Sequence, residues 1–280
     1  MIVVTGATGN VGRPLVEALA AGEQVTAVSR RVPDAALPEG VRHGQADLTD
    51  PASLGPILEG ADALFLHDGG ASAHLLNPRE ILDAAKAACV GRVVLLSSIG
   101  VATRPGTASH GGMMRAIEEA VLESGLDWTI LRPGAFDSNA YAWAESIRAE
   151  RTAAAPFGDV GLPTVDPADI AEVAASALRG AEHRGRIYEL TGPALTTPRQ
   201  RAEAIGAALG EPIRFVEQTR AEARAQLLRF MPEAVIDTTL DALGEPTPAE
   251  QRISPDIHQV LGRPARTFAD WVQGSLAAFR

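Results

Sequence analysis

Lysine is almost missing from this 280-residue chain, where Lys86 stands alone among 25 Lys plus Arg. Tyrosine occurs twice, as Tyr141 and Tyr188, and neither has a lysine four residues on. A Tyr-x-x-x-Lys acid–base pair is therefore excluded outright. One cysteine, Cys89, excludes an internal disulfide and any thiolate zinc cluster. In its alanine-rich, helical surroundings Cys89 reads as a buried structural thiol rather than a nucleophile. The six histidines are scattered without HxH or HxxxH spacing, so no metal site is expected. No apolar run approaches the roughly 20 residues that cross a bilayer. Met1 leads straight into IVVT rather than into a charged and then apolar leader, and the expectation is a cytoplasmic protein with no membrane partner. A formal charge of −10 argues against nucleic acid, which wants a basic face.

What remains is ordinary globular material, 46% hydrophobic and 21% charged. Short apolar runs alternate with helix-like segments through the first half, as βαβ units do. Residues 2–5 (IVVT), 24–29 (QVTAVS), 41–46 (VRHGQA), 62–67 (DALFLH), 92–98 (RVVLLSS) and 128–134 (WTILRPG) read as strands. Several are apolar almost throughout, which a sheet buried on both faces requires. Helices are expected over 11–22, 77–89 and 110–124, with another after Pro51 capped by Thr49 or Asp50. Beyond residue 134 the rhythm changes. A helix over 165–180, a strand over 186–192, a helix over 197–210, a strand over 213–218 and a helical segment from Thr219 precede a proline-broken tail. The fold class is α/β: a Rossmann-type doubly wound parallel sheet over residues 1–134, and a smaller α/β carboxyl-terminal lobe over 135–280, interleaved with the first.

VTGATGNVG places Gly6, Gly9 and Gly12 between a strand and a helix. The first glycine permits the tight turn, the second lets backbone approach a pyrophosphate, and the third lets helix pack on strand. With Thr8, Asn10 and Val11, the loop reads as a dinucleotide cradle at a helix amino terminus. The second strand ends in VSRR, where an NAD enzyme would carry a ribose-binding carboxylate. Arg30 and Arg31 suit a 2′-phosphate, which favours NADP(H) over NAD(H) while leaving the second open. Asp47 and Leu48, after the third strand, are placed to meet the adenine.

These residues resemble the atypical short-chain dehydrogenase/reductase family, in its NmrA-like and NAD(P)H-quinone-reductase-like branch. The resemblance spans nearly the whole chain and rests on VTGATGNVG, ADLTD, LLSSIG, SGLDWTILRPGAFDSNA, VDPADIAEVAASALRG and YELTGP in that order. It implies that nicotinamide lies near Ser97, Ser98 and the turn from Pro133 to Phe136, with His67, Asp68 and Gly69 along the cofactor. It also implies a departure. Aligned on ESGLDWTILRP, the family's Tyr/His-x-x-x-Lys/Glu pair falls on Met114 and Glu118, and a thioether donates no proton.

His110, one helical turn earlier, is the candidate proton donor, set against an ordinary exposed histidine at a helix start. Ser98 is the second catalytic candidate and a polar anchor. Met113, Met114, Phe136, Asn139, Tyr141, Trp143 and Phe157 are candidate substrate contacts, with Phe230 and Met231 from the far lobe; for the aromatics, core packing is an equal alternative. Asp166 and Asp169 read as a helix cap and first-turn charge rather than as an acid–base pair. One of Glu118 and Glu119 is expected to face solvent.

Two functions fit. The first is an NAD(P)H-dependent oxidoreductase reducing a small quinone-like or polycyclic aromatic substrate without a dyad, of the kind found in secondary metabolism, whose hydroquinone product oxygen can reoxidise. The second is a non-catalytic NAD(P) redox sensor of NmrA type. The sequence does not choose between monomer and homodimer.

Overall fold

In a computed structural model of the chain, all residues are described except 34, 68–74, 107–109 and 230, and the side chains of residues 110–113. Seven parallel strands form the main sheet: β1 (Ile2–Val4), β2 (Val25–Ser29), β3 (Arg42–Gln45), β4 (Ala63–His67), β5 (Arg92–Leu96), β6 (Asp127–Pro133) and an edge strand, β8 (Arg186–Leu190). Their spatial order is β3-β2-β1-β4-β5-β6-β8. The chain runs outward from β1 in one direction to β3 and then returns to add β4 on the other side. That reversal opens a crevice above the carboxyl ends of β1 and β4, where ligands of open α/β sheets bind.

Helices cover both faces, which explains why β4 and β5 carry Leu, Phe and Val on successive residues. On one face α1 (Gly12–Ala20) packs beside α7 (Pro167–Arg179), burying Leu15, Val16 and Leu19 against Ile170, Val173 and Ala174. On the other, the single turn α2 (Gly55–Leu58), α3 (Pro78–Ala87) and α5 (His110–Glu123) cover Leu64, Leu66, Val93 and Leu95. The short α4 (Gly100–Thr103) follows β5.

After β6 the chain enters a second layer. A 3-10 segment (Asp137–Trp143) leads into α6 (Ala144–Glu150) and β7 (Thr152–Pro156), which pairs in parallel with β9 (Arg214–Gln218). Between these, α7 and β8 return to complete the large sheet. Helix α8 (Pro198–Leu209) and α12 (Phe268–Ser275) pack against the small sheet around Trp271, Phe268 and Phe279. Helices α9 (Arg220–Leu227) and α10 (Glu233–Gly244) form a satellite cluster, and α11 (Asp256–Leu261) lies on β8 and α7.

Two expectations are corrected and one strand is added. The helix after Pro51 is only a 3-10 turn (Pro51–Leu54) running into α2, and neither Thr49 nor Asp50 caps it with a side chain. Thr49 instead donates its backbone N–H and hydroxyl to Asp47. Cys89 is exposed, because α3 stops at Ala87 and Cys89 takes a left-handed conformation (φ 61°) that turns the thiol outward. The strand Thr152–Pro156 escapes sequence reading because its alanines lack the β-branched signature of a strand. Among the described residues, no helix is long and apolar enough to cross a membrane.

Candidate functional site

The glycine loop has the backbone its sequence requires. Gly6 sits at φ +63°, in the left-handed region, and its carbonyl accepts from Gly9 N–H at 2.9 Å. Among the described residues, five helices carry an amino-terminal side-chain cap, from Asn77, Asp166, Thr197, Thr219 and Thr267. Helix α1 has none: Val11 stands at its N-cap, and no acid lies in its first turn. An uncapped amino terminus, shared with α2, α4, α6, α10 and α11, suits a diphosphate where it follows a glycine turn as here. Val11 itself is buried.

From this loop a cavity of about 220 Å³ follows the crevice, lined by Gly6, Gly9, Arg30, Asp47, Leu48 and His67 among others. This lining gathers residues from the carboxyl ends of four strands, β1 to β4, and includes Arg30, Asp47 and Leu48, the residues expected at an adenosine end. Thr5, unremarked in the sequence, positions part of it: its hydroxyl donates to Phe65 O at 3.0 Å and accepts from His67 N–H at 2.9 Å, pinning β4 against β1. Hydrogen bonds from Thr49 hold the Asp47 carboxyl below its usual range, so it is an anion there. Arg31 is exposed and outside this lining. Asp68 and Gly69, the neighbouring cofactor candidates, lie outside the described residues.

A second cavity, of about 580 Å³, borders the other side of the loop, between α1, the start of α7 and α12. Thr8, Asn10, Arg13, Tyr141, Arg266 and Trp271 contribute to it. Asn10 donates to the Ser138 hydroxyl at 3.0 Å and so ties the loop to the segment after β6. Tyr141 is held there by Ser275 (2.8 Å) and by its edge contact with Trp271.

The redox end is expected above β5 and β6. Pro133 is buried, Phe136 packs half-buried on the core beneath the crevice, and Ser98 accepts from Gly100 N–H at 3.2 Å. Asn139 is exposed. The two dyad positions both point inward. Met114 is 0% exposed, packed beneath the sheet with Ile117 and Leu95, because α5 turns its apolar stripe onto the core. This corrects the reading of Met114 as a substrate contact. Glu118 is 3% exposed and accepts from Arg132 Nε at 2.9 Å and Nη2 at 2.5 Å, and from the Ser97 hydroxyl. The Arg132 guanidinium is driven further above its ordinary value by that carboxylate. Ser97 therefore spends its proton on Glu118, while Glu119 takes the exposed side of the helix. The side chains of His110 and Met113, and all of Phe230, lie outside the described residues.

Trp143 is also corrected. It is buried, donates its indole N–H to Ala154 O at 2.8 Å and lies under the Arg201 guanidinium, so it is core of the second layer. Phe157 packs in the satellite cluster with Ala223, Ile236 and Leu240. Asp166 caps α7 through Ala168 N–H at 2.7 Å, as its position predicts.

Asp137, missed in the sequence, is buried at 0% exposure with neither carboxylate oxygen hydrogen-bonded. Burial pushes its carboxyl up to about 6, and the nearby Thr164 hydroxyl and Arg201 guanidinium offset only part of this. Its folded value lies above the unfolded one, so the stability it contributes is complete below about pH 4 and lost as pH rises through 6. That rise corresponds to roughly 3 kcal/mol. Asp137→Asn is expected to match the wild type in melting temperature at pH 4 and exceed it at pH 7.5. Equal melting temperatures at both pH values would contradict a buried ionised Asp137.

Comparison with known proteins agrees with this geometry. Residues 6–180 match the family described as NAD(P)H-binding. The chain is 36% identical, over a 287-residue alignment covering 100% of it and 99% of the relative, to a (4-alkanoyl-5-oxo-2,5-dihydrofuran-3-yl)methyl phosphate reductase of Streptomyces griseus. It is 32% identical, with the same coverage, to an NAD(P)H azoreductase of Xenophilus azovorans. Among solved structures, an NADPH-dependent quinone oxidoreductase from Escherichia coli complexed with NADPH is similar with a TM-score of 0.78 and 26% identity, covering 98% of this chain and 99% of that one.

Proposed function

This chain belongs to the NAD(P)H-binding family, in its atypical short-chain dehydrogenase/reductase group, and from that membership we propose that it passes hydride from NADPH to a conjugated acceptor, quinone-like or polycyclic, with water as the proton source. When bound, the cofactor would supply the hydride. The Gly6–Gly12 loop and the uncapped start of α1 would hold its diphosphate, Arg30 would meet its 2′-phosphate, and Ser98 and Phe136 would border its reactive ring.

The observation that carries this reading is the inward orientation of both dyad positions. Met114 has no proton to give, and Glu118 is sealed against Arg132 and Ser97. Reduction of an isolated ketone leaves a localised alkoxide, for which a positioned acid contributes roughly 10²–10⁴-fold. Hydride addition to a quinone leaves a delocalised phenol-type anion that water protonates. Orientation over the cofactor then supplies most of the rate. The names of the relatives support the same class: an azo bond, a quinone and a furanone alkene conjugated to two carbonyls each spread the charge that hydride brings. A hydroquinone product is open to reoxidation by oxygen, which would make the reaction cyclic.

Stopped-flow loss of nicotinamide absorbance with a quinone panel tests the proposal. Turnover well above the free-solution rate on at least one member is expected. NADPH binding with no acceleration on any member would contradict it and favour a sensor.

A further inference from the structure

The two arginines after β2 are not left to a flexible loop. The Ser29 hydroxyl lies 2.6 Å from Arg31 O, and Gln45 Nε2 donates to Arg30 O at 3.1 Å. Consecutive carbonyls of the Arg30–Arg31 backbone are thus each held by a side chain from the sheet. Behind them, His43 Nε2 lies 2.9 Å from the Ser29 oxygen. A carbonyl carries no hydrogen, so at 2.6 Å the proton between Ser29 and Arg31 is the serine's. Serine has only one, which makes His43 the donor to Ser29 from Nε2. That donor exists both in the Nε2–H tautomer and in the imidazolium, so the bridge is independent of the ring's charge.

The register of β2 on β3 makes this possible. Ala27 pairs with His43 and Ser29 with Gln45, so both β3 side chains fall on the same face as Ser29, one opposite it and one diagonal to it. The intervening Gly44 is buried, and a β-carbon there would lie 3.1–3.2 Å from side-chain atoms of Ile57 and Thr26, a tight fit. With its backbone held this way, Arg30 lines the cavity near Asp47, whereas Arg31, exposed like Arg30, lies outside that lining.

We propose that Ser29, His43 and Gln45 are positioning residues for cofactor choice. They fix the turn after β2 so that the Arg30 guanidinium meets the 2′-phosphate of NADPH. The proposal rests on the NADPH reading above and adds the groups that make one arginine of the pair effective. Phosphate recognition by arginine depends on a planar fork aimed along two bonds, so an unanchored backbone costs affinity even with the arginine present.

The test compares steady-state KM for NADPH and NADH in Arg30→Ala, Ser29→Ala and Gln45→Ala, and in the doubles combining Arg30→Ala with each. Arg30→Ala is expected to raise KM for NADPH by roughly 10–100-fold, the size of a charged hydrogen bond, with NADH little changed. Ser29→Ala and Gln45→Ala are expected to raise KM for NADPH by about 3–10-fold, again sparing NADH, and to add nothing once Arg30 is gone. His43→Gln and Ser29→Thr, which keep the donor and the hydroxyl, are expected to hold near-wild-type selectivity. Equal losses for both cofactors, or additive losses in the Arg30→Ala background, would overturn the positioning role while leaving the NADPH reading intact. No change in selectivity in Arg30→Ala would overturn both.

Discussion

Asp169→Ala is expected to destabilise the protein by about 3 kcal/mol, a fall in melting temperature of roughly 6–12 °C. Asp169 is 0% exposed in the first turn of α7. Its carboxylate accepts from Arg263 Nη2 at 2.7 Å, from Arg266 N–H at 2.7 Å and from Arg266 Nη1. Those donors belong to the segment between α11 and α12, so this one side chain clips the second layer onto the helix that packs against α1. Removing it leaves the Arg266 backbone N–H and two guanidiniums, all partly buried, short of an acceptor. The cost stays near the lower end for a broken buried pair because Glu172 still reaches both arginines at 2.6 Å. Glu172→Ala, at a half-exposed position, should cost no more than about 1 kcal/mol. Thermal melts followed by circular dichroism separate the two; equal losses would contradict the assignment of Asp169 as the clip.

Gly12→Ala is expected to lower NADPH affinity by roughly 100-fold, by displacing the helix start that faces the diphosphate. Gly12 is not in a left-handed conformation; its constraint is space. A β-carbon there would lie 2.1 Å from Gly6 O, 2.7 Å from Gly6 C and 2.8 Å from Ala7 Cα. All three are backbone, so relief requires α1 to move off the glycine turn. Gly22, just beyond the far end of α1, has nothing within 4 Å, and Gly22→Ala serves as the control. Fluorescence titration of NADPH reads both variants. Binding by Gly12→Ala within a few-fold of wild type would contradict the close-packing account.

What the sequence makes legible here is local. The glycine loop, the cap at Asp166 and the apolar strands each depend on residues within one turn or one strand, and the resemblance of several such motifs in order carries the architecture. What escapes depends on a partner distant in the chain. Alignment puts Glu118 at the second dyad position, but which of Glu118 and Glu119 faces solvent is not legible, because Arg132, which pairs with Glu118, lies on the next strand. Asp169 is recognisable as a first-turn acid, yet its arginines arrive more than 90 residues later. Trp143 and Met114 show the limit of composition: an aromatic or thioether in a wall segment is as suited to core as to substrate, and the face of the helix decides. Cys89 turns outward through one left-handed residue that an alanine-rich run does not announce.

The inward-facing dyad positions make the central claim measurable with matched acceptors. Single-turnover hydride transfer from bound NADPH is followed by stopped-flow to a quinone or conjugated enone and to the isolated ketone of the same carbon frame. The account predicts rapid transfer to the conjugated member and a rate lower by roughly 10² or more for the isolated ketone, in keeping with the lack of an acid at the two dyad positions. Comparable rates for the pair would contradict it, because a proton donor would then have to be acting within the protein.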